Sequence, residues 1–212
     1  MFRFVRAIAF LALTLAAAAP LAGQVGSRTS VLDAGTATEA ELAALPHMNA
    51  ARARSVVAAR PFASVKALDA LLGAQGLGAE QRKELYARLF VPINLNTAPK
   101  EEILLIPGVG NRMLHEFEEY RPYQSLAVFH REIDKYVDDA ELARLEQYVF
   151  VPVNLNTATD ADFMTIPGLG PRMLREFKEY RPYKSIEQFR KEIGKYVDAK
   201  EVARLERYVT IK

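Results

Sequence analysis

NLNTAPKEEILLIPGVGNRM, residues 94–113, and NLNTATDADFMTIPGLGPRM, residues 154–173, say nearly the same thing twice. What is kept is an Asn-flanked Thr, an Ile-Pro step, a Gly-apolar-Gly triplet and an Arg two residues later. These residue types build turns and helix ends. They lack an oriented base, a nucleophile or a cluster of metal ligands, so the repeated element predicts architecture before it predicts chemistry.

Working outward, Tyr120-Arg121-Pro122-Tyr123 recurs as Tyr180-Arg181-Pro182-Tyr183, again 60 residues on. An older copy precedes both, with Thr36-Ala37 matching Thr97-Ala98, Leu45-Pro46 matching Ile106-Pro107, and Arg60-Pro61-Phe62 matching Arg121-Pro122-Tyr123. Self-similarity at a fixed period decides the organisation first. The chain divides into a leader at 1–26 and three units at 31–92, 93–152 and 153–212.

Each unit reads as four short helices, an all-α fold. Thr36, Thr97 and Thr157 are placed to cap the first helix, with Thr36 and Glu39 at capping-box spacing. Pro46, Pro107 and Pro167 stop it, because a residue before proline is pushed out of the helical region. The second helix follows the glycines and carries Leu114, Phe117 and Tyr120 on one face. Ser64, Ser125 and Ser185 cap the third. Asp138 with Glu141, and Asp198 with Glu201, have capping-box spacing for the fourth. The repeated Tyr120, Tyr123, Phe129 and Tyr136 read as core rather than as stacking platforms for bases.

IPGVGNR and IPGLGPR, preceded by NLNTA and followed by YR and a PYxS turn, resemble the helix-hairpin-helix repeats of the periplasmic competence DNA receptors (ComEA-like). The resemblance covers essentially all of residues 31–212. It implies an array of three helix-hairpin-helix units that bind DNA without catalysis, cofactor or metal, in the setting of DNA uptake. The implied DNA-binding residues are Gly168, Leu169, Gly170 and Arg172, with Gly108, Val109, Gly110 and Arg112. The physical basis is a helix N-terminus with unpaired N–H groups offered to a phosphate, a contact that carries no sequence code. Gly170 is expected to be the position where a side chain would strain the hairpin.

The first unit departs from this pattern. Its glycines become His47 and Asn49 and its arginine becomes Ala51, so its hairpin reads as structural. A second Gly-Leu-Gly survives only at 76–78, where Gly78 aligns with Asp138 and Asp198. Because the same fold also serves proteins that touch no nucleic acid, a protein-interaction or scaffolding array is the alternative.

Charge bears on that choice. Without the leader arginines Arg3 and Arg6, 26 basic residues face 26 acidic ones. The balance is uneven, at −5 for 93–152 and +3 for 153–212. Neutrality argues against tight duplex binding and places any affinity in the third unit. Cysteine is absent, which removes disulfides, thiolate nucleophiles and Cys-type zinc sites together.

The leader MFRFVRAIAFLALTLAAAAPLAG has a basic start, an apolar run and small residues, the layout of a secretory signal peptide. Its apolar run falls short of the roughly 20 residues that span a bilayer. The expectation is a periplasmic or secreted protein whose N-terminus after cleavage lies between Ala18 and Ser30. Mass spectrometry of the native protein checks this, and an intact Met1 would overturn it.

Overall fold

A computed structural model describes residues 31–211. The leader therefore lies outside the described residues, as does Lys212. The chain is mostly helical, with one element order occurring three times. The first pass is β1 (Leu32–Asp33), α1 (Glu39–Ala43), α2 (Ala50–Ala58), α3 (Val65–Ala74), α4 (Ala79–Tyr86) and β2 (Leu89–Phe90). The second is β3 (Ile93–Asn94), α5 (Lys100–Ile103), α6 (Asn111–Glu119), α7 (Leu126–Ile133), α8 (Asp139–Glu146) and β4 (Val149–Phe150). The third is β5 (Val153–Asn154), α9 (Asp160–Phe163), α10 (Pro171–Glu179), α11 (Ile186–Ile193), α12 (Ala199–Glu206) and β6 (Val209–Thr210).

The helices bear out a mostly helical fold, to which three pairs of two-residue strands are added. Each pair is parallel, β1 with β2, β3 with β4 and β5 with β6, in the register Leu32↔Leu89, Ile93↔Val149 and Val153↔Val209. Two-residue strands give no alternation to read, so no sequence period announces them.

Local chemistry explains the helix starts. The NLNT stretch is a turn in which the Asn94 side chain accepts from the Asn96 amide at 2.9 Å, and Asn154 does the same for Asn156. Thr97 and Thr157 are held inside that turn, their amides donating to the carbonyls of Asn94 and Asn154. The expected caps Thr36, Thr97 and Thr157 are therefore displaced by two residues. Thr38 and Thr159 make the capping boxes, with Glu41 and Asp162, while Pro99 precedes α5 and offers it no side-chain cap. Ser64, Ser125 and Ser185 cap α3, α7 and α11. Asp138 and Asp198 cap α8 and α12 by accepting from Glu141 and Glu201 at 2.8 Å. Those glutamates turn outward to Arg144 and Arg204 instead of closing a reciprocal box.

An arginine closes each repeat, and an asparagine joins it in the second and third. Arg60, Arg121 and Arg181 each donate to two carbonyls of the N-terminal turn: Ala34 and Ala37, Leu95 and Ala98, Leu155 and Ala158. The Asn96 side chain donates to the Tyr123 carbonyl at 2.9 Å and accepts from its amide at 2.6 Å, and Asn156 pairs with Tyr183 likewise. The corresponding position in the first repeat is Gly35.

One apolar core, including Leu68, Phe90, Phe117 and Ile133, runs through the first two repeats, and a second, including Phe163, Phe177 and Phe189, fills the third. Tyr123 and Tyr183 are buried, and burial raises their hydroxyl pKa values above the ordinary value. Repeats also meet through bonds at matching positions, the first repeat with the second and the third with the end of the first. The Val31 amide donates to the Gln147 side chain at 3.2 Å, and Arg207 donates to the Pro92 carbonyl at 3.1 Å.

Asn156→Ala leaves the amide and carbonyl of Tyr183 without their partner. The expected cost is about 1–3 kcal/mol, the penalty of unsatisfied half-buried polar groups. Urea unfolding followed by circular dichroism measures it, and a loss below about 0.5 kcal/mol would show that the clamp is dispensable.

Candidate nucleic-acid interface

The Gly-apolar-Gly triplets join α5 to α6 and α9 to α10. Chain reversal needs one residue in the left-handed region, supplied by Gly108 at φ +81° and Gly168 at φ +74°. The second glycines differ. Gly110 and Gly170 sit at the N-cap with extended backbone, φ −110° and −85°, and a Cβ at either would meet nothing within 4 Å. The expectation that a side chain at Gly170 would strain the hairpin is thus overturned, since the strained position is Gly168. What glycine leaves at 110 and 170 is an uncapped helix end, for neither α6 nor α10 receives a side-chain cap.

Of the eight residues implied to bind DNA, six face solvent: Gly108, Gly110, Arg112, Gly168, Gly170 and Arg172. Val109 and Leu169 point inward at 9% and 5% exposure. Their amides are also committed, to the carbonyls of Ile106 and Ile166. They anchor the turn and leave the open donors to the residues that follow. Arg112 and Arg172 stand exposed and without an ion pair. Nearby charges are partly spent, Lys178 on Asp160 at 2.6 Å and His115 on Glu119 at 3.5 Å. Among the described residues no group of three acidic, His or Cys side chains could hold a metal ion.

The first repeat builds the same turn from different residues. His47 takes the left-handed conformation at φ +63°, and Asn49 caps α2 by accepting from the Arg52 amide at 2.9 Å. The His47 ring meets Glu84 at 2.6 Å. In the other repeats the residue corresponding to Glu84 is Arg144 or Arg204, and each guanidinium lies against the first glycine of its hairpin. Sequence reasoning missed this exchange of His and Glu for Gly and Arg, although the aligned repeats display it.

Arg204 has the more elaborate setting. It binds Glu201 through Nε at 2.7 Å and Nη2 at 2.6 Å, and it donates to the Pro167 carbonyl at 2.7 Å. The first repeat covers it. A Cβ on Gly168 would lie 3.5 Å from Thr36 Cγ2, one on Gly35 would lie 3.7 Å from Arg204 Cδ, and Tyr208 donates to Asp33 at 3.4 Å. Burial works against the charge of Arg204, but Glu201, Tyr208 and Asp33 together outweigh it and hold the guanidinium pKa above its ordinary value.

No protein-family model matches the chain, and no solved structure matches it. The chain is similar to the endonuclease/exonuclease/phosphatase family domain-containing protein 1 of Xenopus laevis, at 28% identity over 45% of this chain. The match spans 23% of that relative, less than a quarter of its length.

Serine substitutions separate the two glycines. Gly168→Ser forces a side chain into the left-handed region and is expected to cost about 1–2 kcal/mol. Gly170→Ser supplies a favoured N-cap residue and is expected to be neutral or stabilising by a few tenths of a kcal/mol, about the ordinary difference between serine and glycine there. Melting temperatures compare them, and equal losses would contradict the assignment of strain to Gly168.

Proposed function

We propose that the chain is an exported, non-catalytic protein of three helix-hairpin-helix units that binds DNA weakly and without sequence preference, in the setting of DNA uptake. The observation that carries this reading is the pair of uncapped N-termini on α6 and α10, each beside an exposed arginine free of ion pairs. An uncapped helix end presents orphan N–H donors and the positive end of the helix dipole, which together suit a phosphate. The first repeat is the internal contrast, since Asn49 fills the same position with its own oxygen. Nothing at either hairpin is shaped to read base edges, so the contact is to backbone. The catalytic domain in the name of the Xenopus relative is not carried over, because the match covers too little of that protein.

Two hairpins touching about two to four phosphates give a slope of about −2 to −4 in a plot of log affinity against log salt. Gly110→Asp and Gly170→Asp provide the sharpest test. Each places a carboxylate where the phosphate is to sit, so each is expected to keep or raise the melting temperature, while DNA affinity falls at least about tenfold for Gly170→Asp and much less for Gly110→Asp in the acidic second unit. Arg172→Glu is expected to weaken binding to unrelated duplexes alike, and Arg112→Glu, in the acidic second unit, to do much less. Fluorescence anisotropy with two unrelated duplexes at low and physiological salt measures all of this. Absence of wild-type binding even at low salt would sink the DNA reading and leave the hairpins to a protein-interaction array.

A further inference from the structure

We infer that Arg204 is a positioning residue for the third hairpin, and that the first repeat holds Arg204 in place across the seam between repeats one and three. The inference deepens the proposed function and rests on it for its binding arm alone.

The starting point is a difference between two otherwise matching hairpins. Arg144 and Arg204 occupy the same place in their repeats, and both pair with a glutamate three residues earlier. Arg204 also donates to the Pro167 carbonyl, one residue before the left-handed Gly168, whereas the bonds of Arg144 go to Glu141. The side chain of Arg204 is 6% exposed and that of Arg144 is 30% exposed. The turn of the first repeat lies over this corner: Gly35 is beside the Arg204 stem, Thr36 is beside Gly168, and Asp33 accepts from Tyr208. A charge-assisted hydrogen bond shielded from water is stronger and more directional than one open to solvent. The Pro167 carbonyl is thus fixed from behind, and the uncapped start of α10 inherits that fixity through Gly168 and Leu169.

The seam is also electrically specific. Asp33 shares the turn of Gly35, whose Cβ position lies 3.7 Å from Arg204 Cδ, and it accepts from Tyr208, which sets its negative charge near two cations, Arg60 and Arg204. Asn occupies the corresponding position in the second and third repeats, as Asn94 and Asn154, so the turn itself does not require the negative charge. Asp at position 33 serves the seam. In this arrangement the repeat with no open hairpin of its own contributes to the hairpin of another.

The test uses the full chain and reads the Leu169 amide, which donates to Ile166, by hydrogen exchange. Arg204→Gln is expected to speed its exchange by about tenfold, as expected when a local brace is lost. Asp33→Asn keeps the turn but removes the charge, and Thr36→Arg sets a like charge beside Arg204; each is expected to speed Leu169 exchange about threefold or more. The Tyr208 amide, bonded to Leu205, is expected to stay protected. Arg144→Gln, the control, is expected to leave the Val109 amide unchanged. In the binding arm, Arg204→Gln lowers DNA affinity with the salt slope unchanged, because it touches no phosphate, while Arg172→Gln lowers the slope by about one.

Unchanged Leu169 exchange in Arg204→Gln, or in both first-repeat variants, overturns the inference. So does equal acceleration at Leu169 and Val109 in Arg204→Gln. If Arg204→Gln unfolds the third repeat, Asp33→Asn and Thr36→Arg decide, since both leave that repeat's sequence intact. A wild-type protein that does not bind DNA defeats the proposed function, while the exchange results still judge the brace.

Discussion

Each repeat is held shut by one arginine. Arg60, Arg121 and Arg181 lie at the end of the second helix of their repeats and donate back to two carbonyls of the N-terminal turn, spanning the helical hairpin between. Those carbonyls would otherwise face a half-buried interior without donors, an expensive condition for backbone groups. A planar guanidinium reaches two acceptors with one rigid fork, which a lysine ammonium on a flexible stem does not. In the third repeat the same guanidinium lies 4.9 Å from the Phe163 ring centre, so the staple is also packed on the core. Short helices are marginal alone, and the staple with the Asn96 and Asn156 clamps gives them a common frame.

Much of this frame was legible in the sequence because repetition makes small signals add. Ser and Asp caps, glycine turns and the buried faces of α6 and α10 fall where their spacing put them. The threonine caps were misplaced because a Thr two residues after an Asn fits a turn as well as a cap, and only the turn's own hydrogen bonds decide. The strain was assigned to Gly170 instead of Gly168 because two glycines in a triplet look alike in sequence, while φ distinguishes them. Nothing local in the sequence marks Arg121 and Arg181 as staples, since their acceptors lie more than 20 residues away. The role of Arg204 depends on a seam between repeats that no local pattern encodes.

The three hairpins also display alternative solutions to one problem, the orphan donors at a helix start. Asn49 satisfies a donor internally, and the first repeat gives up an open surface in exchange. Gly110 and Gly170 leave the donors to solvent or to a ligand. The acidic second unit tempers its charge through local pairs such as Arg144 with Glu141 and Lys100 with Glu118. The net charge of each unit therefore sets the background on which the unpaired arginine at its hairpin acts.

The short parallel ladders have a consequence for how such a chain can grow. Because β3 lies beside β4 and β5 beside β6, the chain arrives at and departs from each repeat at neighbouring points, about 4.8 Å apart, heading the same way. A whole repeat can then be inserted or removed with little displacement of the flanking backbone. The two-residue links Val91-Pro92 and Val151-Pro152 join one repeat to the next. Duplication in blocks of 60 residues is the kind of length change this geometry tolerates, whereas a partial copy would lack either its staple or the turn that the staple grips.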